Sequence, residues 1–174
     1  MSGPITAAKD AFSSMLANSA GFQALVGVET SVDAAKRIYS RGLPPPANAM
    51  RYTLDELAAL RPFAILYFPD RDPYVARRTA HMAWGEAGRV EAYFEVAIDP
   101  SNANDPAAAE AALTDLLGGV VSDLKAAAGQ AGALNLTEIA VGVRPMRCSE
   151  KERGSEGDHF FTILAVAWHG GIEG

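Results

Sequence analysis

Cysteine occurs once in this chain, at Cys148, and histidine three times, at His81, His159 and His169. A single thiol excludes an internal disulfide and a multi-cysteine zinc site. The histidines are scattered, and none shows the i, i+4 spacing that sets two ligands on one helical face. Long apolar runs are missing as well. No uncharged stretch approaches the roughly 18 residues of a membrane span, and the opening MSGPITAAKDAF has no apolar core of a secretory signal. Basic clusters are also scarce: 15 Lys+Arg face 21 Asp+Glu, for a net charge of -6 and a pI near 5.0. That balance argues against a surface built to hold nucleic acid, which would gather Lys and Arg. What remains is the expectation of a reduced, soluble protein made inside the cell, with no metal and no cofactor.

What is there is ordinary for a globular chain. Of 174 residues, 49% are hydrophobic and 21% charged, enough for one domain with a proper core. We therefore expect a single domain over 1–174, with N-terminal helices over 1–42, a Pro-rich connection over 43–60, and a sheet with a long helix over 61–174. Residues that could carry chemistry do not assemble into a known pattern. Cys148, His159 and either Asp158 or Glu150 would make a thiol, imidazole and carboxylate set, but their surroundings, SEKERGSEGD, form a charged loop without a nucleophile signature. GEAG at 85–88 and GQAG at 129–132 lack the Lys-Ser/Thr of a phosphate cradle and read as turns. No catalytic residue is assigned. In the loop, Glu150, Lys151, Glu152 and Arg153 are either a solvated stretch or a contact with another subunit.

Periodicity supplies the elements. Ile5, Ala8, Phe12, Met15 and Leu16 fall on one helical face, which NSAG at 18–21 ends. FQALVG reads as a short helical turn. Thr30 and Asp33 have capping-box spacing for a helix through Tyr39, with Gly42 as its stop. LPPPANAM is extended, and TLDELAAL at 53–60 makes two helical turns. RPFAILYFPD, bounded by turn formers, reads as a strand covered on both faces. Asp105 and Pro106 start a long helix that carries Ala109, Leu113, Leu116, Val120 and Leu124 on one face. Gly118 and Gly119 within it cost about 1 kcal/mol each relative to Ala and call for something packed close by. LTEIAVGVRPM is a strand stopped by Pro145, and HFFTILAVAWHG a central strand apolar on both faces. The fold class is α+β: a single mixed or antiparallel sheet of about five strands with the long helix packed on one face.

Between these lies a hairpin signal, ARRTAHMAW and RVEAYFEVAI around GEAG. Its second arm alternates Val90, Ala92, Phe94, Val96 and Ile98 with Arg89, Glu91, Tyr93 and Glu95. With GEAG as the loop, Trp84 lies opposite Arg89, Met82 opposite Glu91, Ala80 opposite Tyr93 and Arg78 opposite Glu95. The face away from the core then collects Met82, Trp84 and Tyr93, bordered by Arg78, Arg89, Glu91 and Glu95, a composition suited to a protein interface. The alternative is that the 53–60 helix of the same chain covers Trp84.

The order GFQALVG, AAKRIYSRG, LRPFAIL, VEAYFEVAIDP, long helix, FFTILAVAWHG resembles the tail terminator proteins of long-tailed bacteriophages, the lambda-type minor tail proteins. The similarity runs from about residue 20 to 170; RPFAI and AVAWHG are its most telling pieces, while LPPPANAMRYTLDELAAL and the 149–158 loop depart from it. The resemblance implies a structural virion protein of the tail and neck, made in the host cytoplasm. Its subunits would form a homo-oligomeric, hexameric ring on the last ring of major tail tube protein, fix tail length, and present a face to the head–tail connector (stopper) protein. DNA would pass through the lumen without specific binding. The same features suit another connector component, a stopper or adaptor; outside that class stands a small hydrolase or ligand-binding domain.

Overall fold

Strand alternation around Phe94 organises the molecule. In a computed structural model, residues 4–40, 42–47, 52–68, 74–78, 84–97, 105–146 and 159–169 are described. The helices are α1 (Pro4–Ala17), α2 (Ala20–Val26), α3 (Ser31–Ala35), α4 (Leu54–Leu60) and α5 (Pro106–Ala127). The strands are β1 (Ile38–Tyr39), β2 (Phe63–Tyr67), β3 (Tyr74–Arg78), β4 (Trp84–Ala97), β5 (Leu136–Met146) and β6 (His159–His169). Together they make an α+β fold with one mixed sheet. Five strands run in the order β1-β2-β4-β6-β5, and β3 lies beside one end of β4. Only β1 with β2 is parallel; the other pairings are antiparallel.

β4 is the spine. Along one edge it pairs β6 from Ala87↔His169 to Ala97↔His159. Its other edge is shared by β2, at 91–95, and β3, at 84–88. On one face Val90, Ala92 and Phe94 are fully buried, with Ala64, Leu66, Leu164, Val166 and Trp168 beside them. That face is roofed by α1 through Ala8, Phe12 and Leu16, by α2 through Phe22 and Leu25, and by α5 through Leu113, Val120 and Leu124. Phe22 and Phe94 sit with ring centroids 5.8 Å apart, within the range of favourable aromatic pairs.

Local chemistry explains the helix boundaries. The Asp105 carboxylate accepts from the N–H groups of Ala107 and Ala108, with Pro106 at the first turn. Thr53 and Glu56 complete a capping box on α4, and the Glu56 carboxylate also accepts from Ala47 N at 2.8 Å, so the Pro-rich stretch is tied to that helix. The close approach anticipated at Gly119 is real: α2 lies against α5 there, and a Cβ on Gly21 would stand 2.4 Å from Val120 N. Around Gly118 a Cβ would meet nothing within 4 Å, and on Gly119 it would stand 3.5 Å from Gly21 Cα, an ordinary contact, so the demand for glycine falls on Gly21 of α2 and not on the pair in α5.

Several expectations need correction. GEAG is not a turn: Gly85 to Gly88 lie inside β4, and the chain reverses between Arg78 and Trp84, which pair directly. Pairing with β3 along the whole segment, and with β6 from Ala87 on, supplies partners for the main chain there, which outweighs the turn preference of two glycines. Trp168 of β6 is buried directly across from Gly88, where a side chain is lacking. The helix expected through Tyr39 ends at Ala35, and Ile38–Tyr39 form β1 beside β2. Ile38 packs on the core and Arg37 O accepts from Ala64 N at 2.9 Å, so sheet pairing overrides helical continuation. On α5 the core position is Leu117, 2% exposed, while Leu116 is 36% exposed, because the stripe advances 113, 117, 120, 124. Ile5, in the first turn of α1, is 46% exposed. Pro145 does not stop β5, which runs to Met146; β5 is an edge strand, where proline is tolerated. Finally, β2 is covered on both faces only at Phe63 and Ala64; Ile65 and Tyr67 are half-buried.

Candidate subunit interface

The opposite face of the sheet carries the candidate site. At one end Tyr39 packs edge-on against Phe63, centroids 6.1 Å apart, and Phe63 is buried. Beyond that pair, residues from half-buried Ile65 and Tyr93 to buried Ala165 and exposed Glu138 run in cross-strand rows. One row is Ile65, Tyr93, Ile163 and Gly142; the next is Tyr67, Glu91, Ala165 and Ala140; a third is Arg89, Ala167 and Glu138. Strand period alone puts these residues opposite Val90, Ala92 and Phe94.

Within this surface the charges are paired. Arg89 Nε lies 3.3 Å from Glu91 Oε1, and its Nη1 lies 4.0 Å from Glu138 Oε1. The Nε contact is an ion pair by distance, with an angle too poor for a hydrogen bond. The Glu91 side chain is only 16% exposed, so these neighbours take the place of part of its water. The Tyr67 phenol donates to Glu91, and its pKa is pushed up to about 12, first by burial, then by that hydrogen bond and the charge of Glu91, against a smaller opposing effect of Arg89. A phenol so held keeps its proton at neutral pH and acts as a donor, not as a base. The arrangement can therefore recognise a complementary polar and aromatic surface.

Of the residues expected at an interface, Arg89, Glu91 and Tyr93 share this face, and position 95 has the same register parity. Trp84 has the parity of Val90 and pairs with Arg78, so these two positions separate from the Arg89 set. Arg78 is exposed. Met82, Cys148 and Glu150, Lys151, Glu152 and Arg153 lie outside the described residues, as do His81 and Asp158 and the side chains of Trp84, Glu95 and His159. The sequence reading missed Tyr67 and Glu138, because their nearness to Glu91 and Arg89 arises from pairing across four strands, β2, β4, β6 and β5. The alternation of apolar and polar residues in FAILY is too weak to signal it.

Elsewhere the described residues offer little. An open groove of about 370 Å³ between α1 and α3 is lined by Asp10, Ser13, Ser14, Asn18, Ser31 and Val32 among others. No group of three or more His, Cys, Asp or Glu side chains that could hold a metal occurs among the described residues. Nor is any helix among them long and apolar enough to cross a membrane.

Fold and site together define an α+β protein whose sheet is roofed on one face and set with aromatic, aliphatic and paired charged groups on the other. Compared with known proteins, the chain matches no family profile and no curated sequence.

Proposed function

We propose that this protein is a tail terminator: a structural subunit that closes into a ring on the end of a phage tail tube, fixes its length and offers a joining surface to the head-side connector. The observation that carries the reading is the face of β4 turned away from the helices, where Arg89, Glu91 and Tyr93 are half-buried within one subunit. Aromatic residues inside a charged border suit such a contact. In a ring of cyclic symmetry this face meets a different surface of the next copy, since head-to-tail contacts are heterologous. The order of segments and the net charge of -6 support the same reading, because acidic walls let DNA pass without adhering. Partners would be further copies of the chain, the major tail tube protein and the connector, in the neck of the virion.

Electron microscopy tests this in two ways. Particles assembled without the protein should carry overlong tails; tails of normal length without heads would point to a different connector component and overturn the terminator role. Tubes capped with the purified protein should show a closed ring of six copies, about 110 kDa from chains of 18.3 kDa. An open helical array on the tube would refute the ring.

A further inference from the structure

β5 pairs β6 on one side, and no described strand pairs its other edge. Its 11 residues form a long template for strand addition, of a kind that folded proteins usually guard. Pro145 lies in this strand, and proline is admitted to an edge strand where its missing N–H faces away from the ladder. By strand alternation the main-chain groups of Ile139, Val141 and Val143 then face outward with it.

We infer that this edge pairs with the same edge of a second copy, antiparallel, about a two-fold axis at Val141. In that register the strand is its own complement. Glu138 falls opposite the partner's Arg144 and, by symmetry, Arg144 opposite the partner's Glu138. Ile139 faces the partner's Val143, and Val141 meets its own copy. Opposite charges directly across an antiparallel ladder stabilise the pairing and like charges oppose it. A shift of the centre by half a residue either way loses both ion pairs and sets outward-facing groups against inward-facing ones. The central register instead allows about six main-chain hydrogen bonds between the copies.

Side-chain exposure agrees with this register. The Glu138 side chain is 61% exposed and reaches only to 4.0 Å from Arg89, which leaves its carboxylate available to a second cation. Val141 is 42% exposed although it lies opposite buried Leu164, and it is the residue that the two-fold axis would cover. The pairing is isologous and closes at two copies. It describes the free chain and does not depend on the terminator reading, whose ring is head-to-tail.

Sedimentation equilibrium of the full chain over low micromolar to high micromolar concentration tests the inference. A reversible monomer–dimer equilibrium is expected. Glu138→Arg or Arg144→Glu alone should weaken it by about tenfold or more, with circular dichroism unchanged. The double variant Glu138→Arg/Arg144→Glu should return it to within about threefold of the original, since the swapped charges again face each other. A chain that stays monomeric throughout would show that Glu138, Arg144 and Pro145 merely guard the edge, and would overturn the proposal. So would a dimer indifferent to either single change, or one that the double change fails to restore.

Discussion

The two faces of β4 are built from neighbouring residues of one strand, yet they meet different worlds. Val90, Ala92 and Phe94 are fully buried beneath three helices. Arg89, Glu91 and Tyr93, one residue away in each case, are half-buried on a face where Arg89 stands between the carboxylates of Glu91 and Glu138. The first face holds the fold together by the removal of apolar area from water. The second contributes little to that and is available for contact. Substitutions one residue apart should therefore separate stability from assembly.

The largest effect is expected on the roofed face. Phe94→Ala removes a fully buried ring that lies against Phe22, and should cost about 3–5 kcal/mol in denaturant unfolding. A loss below about 1 kcal/mol would mean that the helices do not seal this face. Next comes the joint between α2 and α5. The Asp123 carboxylate accepts from the Ser19 hydroxyl at 2.8 Å and from Gly21 N at 2.9 Å, and Ser19 is 2% exposed. Asp123→Ala leaves two donors without that acceptor and should cost about 1–3 kcal/mol, read as a lowered urea midpoint with an unchanged slope.

On the open face the order reverses. Arg89→Ala should lower monomer stability by about 1 kcal/mol while sharply reducing ring formation on tubes, scored by electron microscopy. Equal assembly by the variant would remove the open face from the proposed contact. The smallest effect concerns Tyr67, whose phenol is raised to about 12 from an unfolded value near about 10. Between those values the folded chain keeps a proton that the unfolded chain gives up. Stability from this group is full below the window and falls as pH rises through it. Tyr67→Phe should flatten that part of the alkaline loss, and the late phase of tyrosine ionisation in ultraviolet absorbance should vanish with it.

Much of this was legible in the chain. The α+β class follows from periodicity: the spacing of Ala109, Leu113, Leu116, Val120 and Leu124 marks a helix with one buried stripe, although packing chose Leu117 over Leu116, and the alternation from Arg89 to Phe94 marks a two-faced strand. Asp105 and Pro106 fixed where α5 begins, because capping is a contact between near neighbours. These signals are local, so a single sequence contains them in full. What depended on distant partners did not show. GEAG reads as a turn in isolation, and only pairing of β4 with β3 and β6 keeps it extended. Ile38 and Tyr39 read as helix until β2 offers them a ladder. The Tyr67, Glu91, Arg89 and Glu138 cluster draws on three strands, two of them separated from the others by a hairpin or the long helix. Local propensities amount to about 1 kcal/mol per residue or less, and pairing and burial summed over a whole strand exceed them. Sequence alone determined the caps and most of the apolar stripes, which are local; tertiary structure decided where helices gave way to strands, where the chain turned and which charges met.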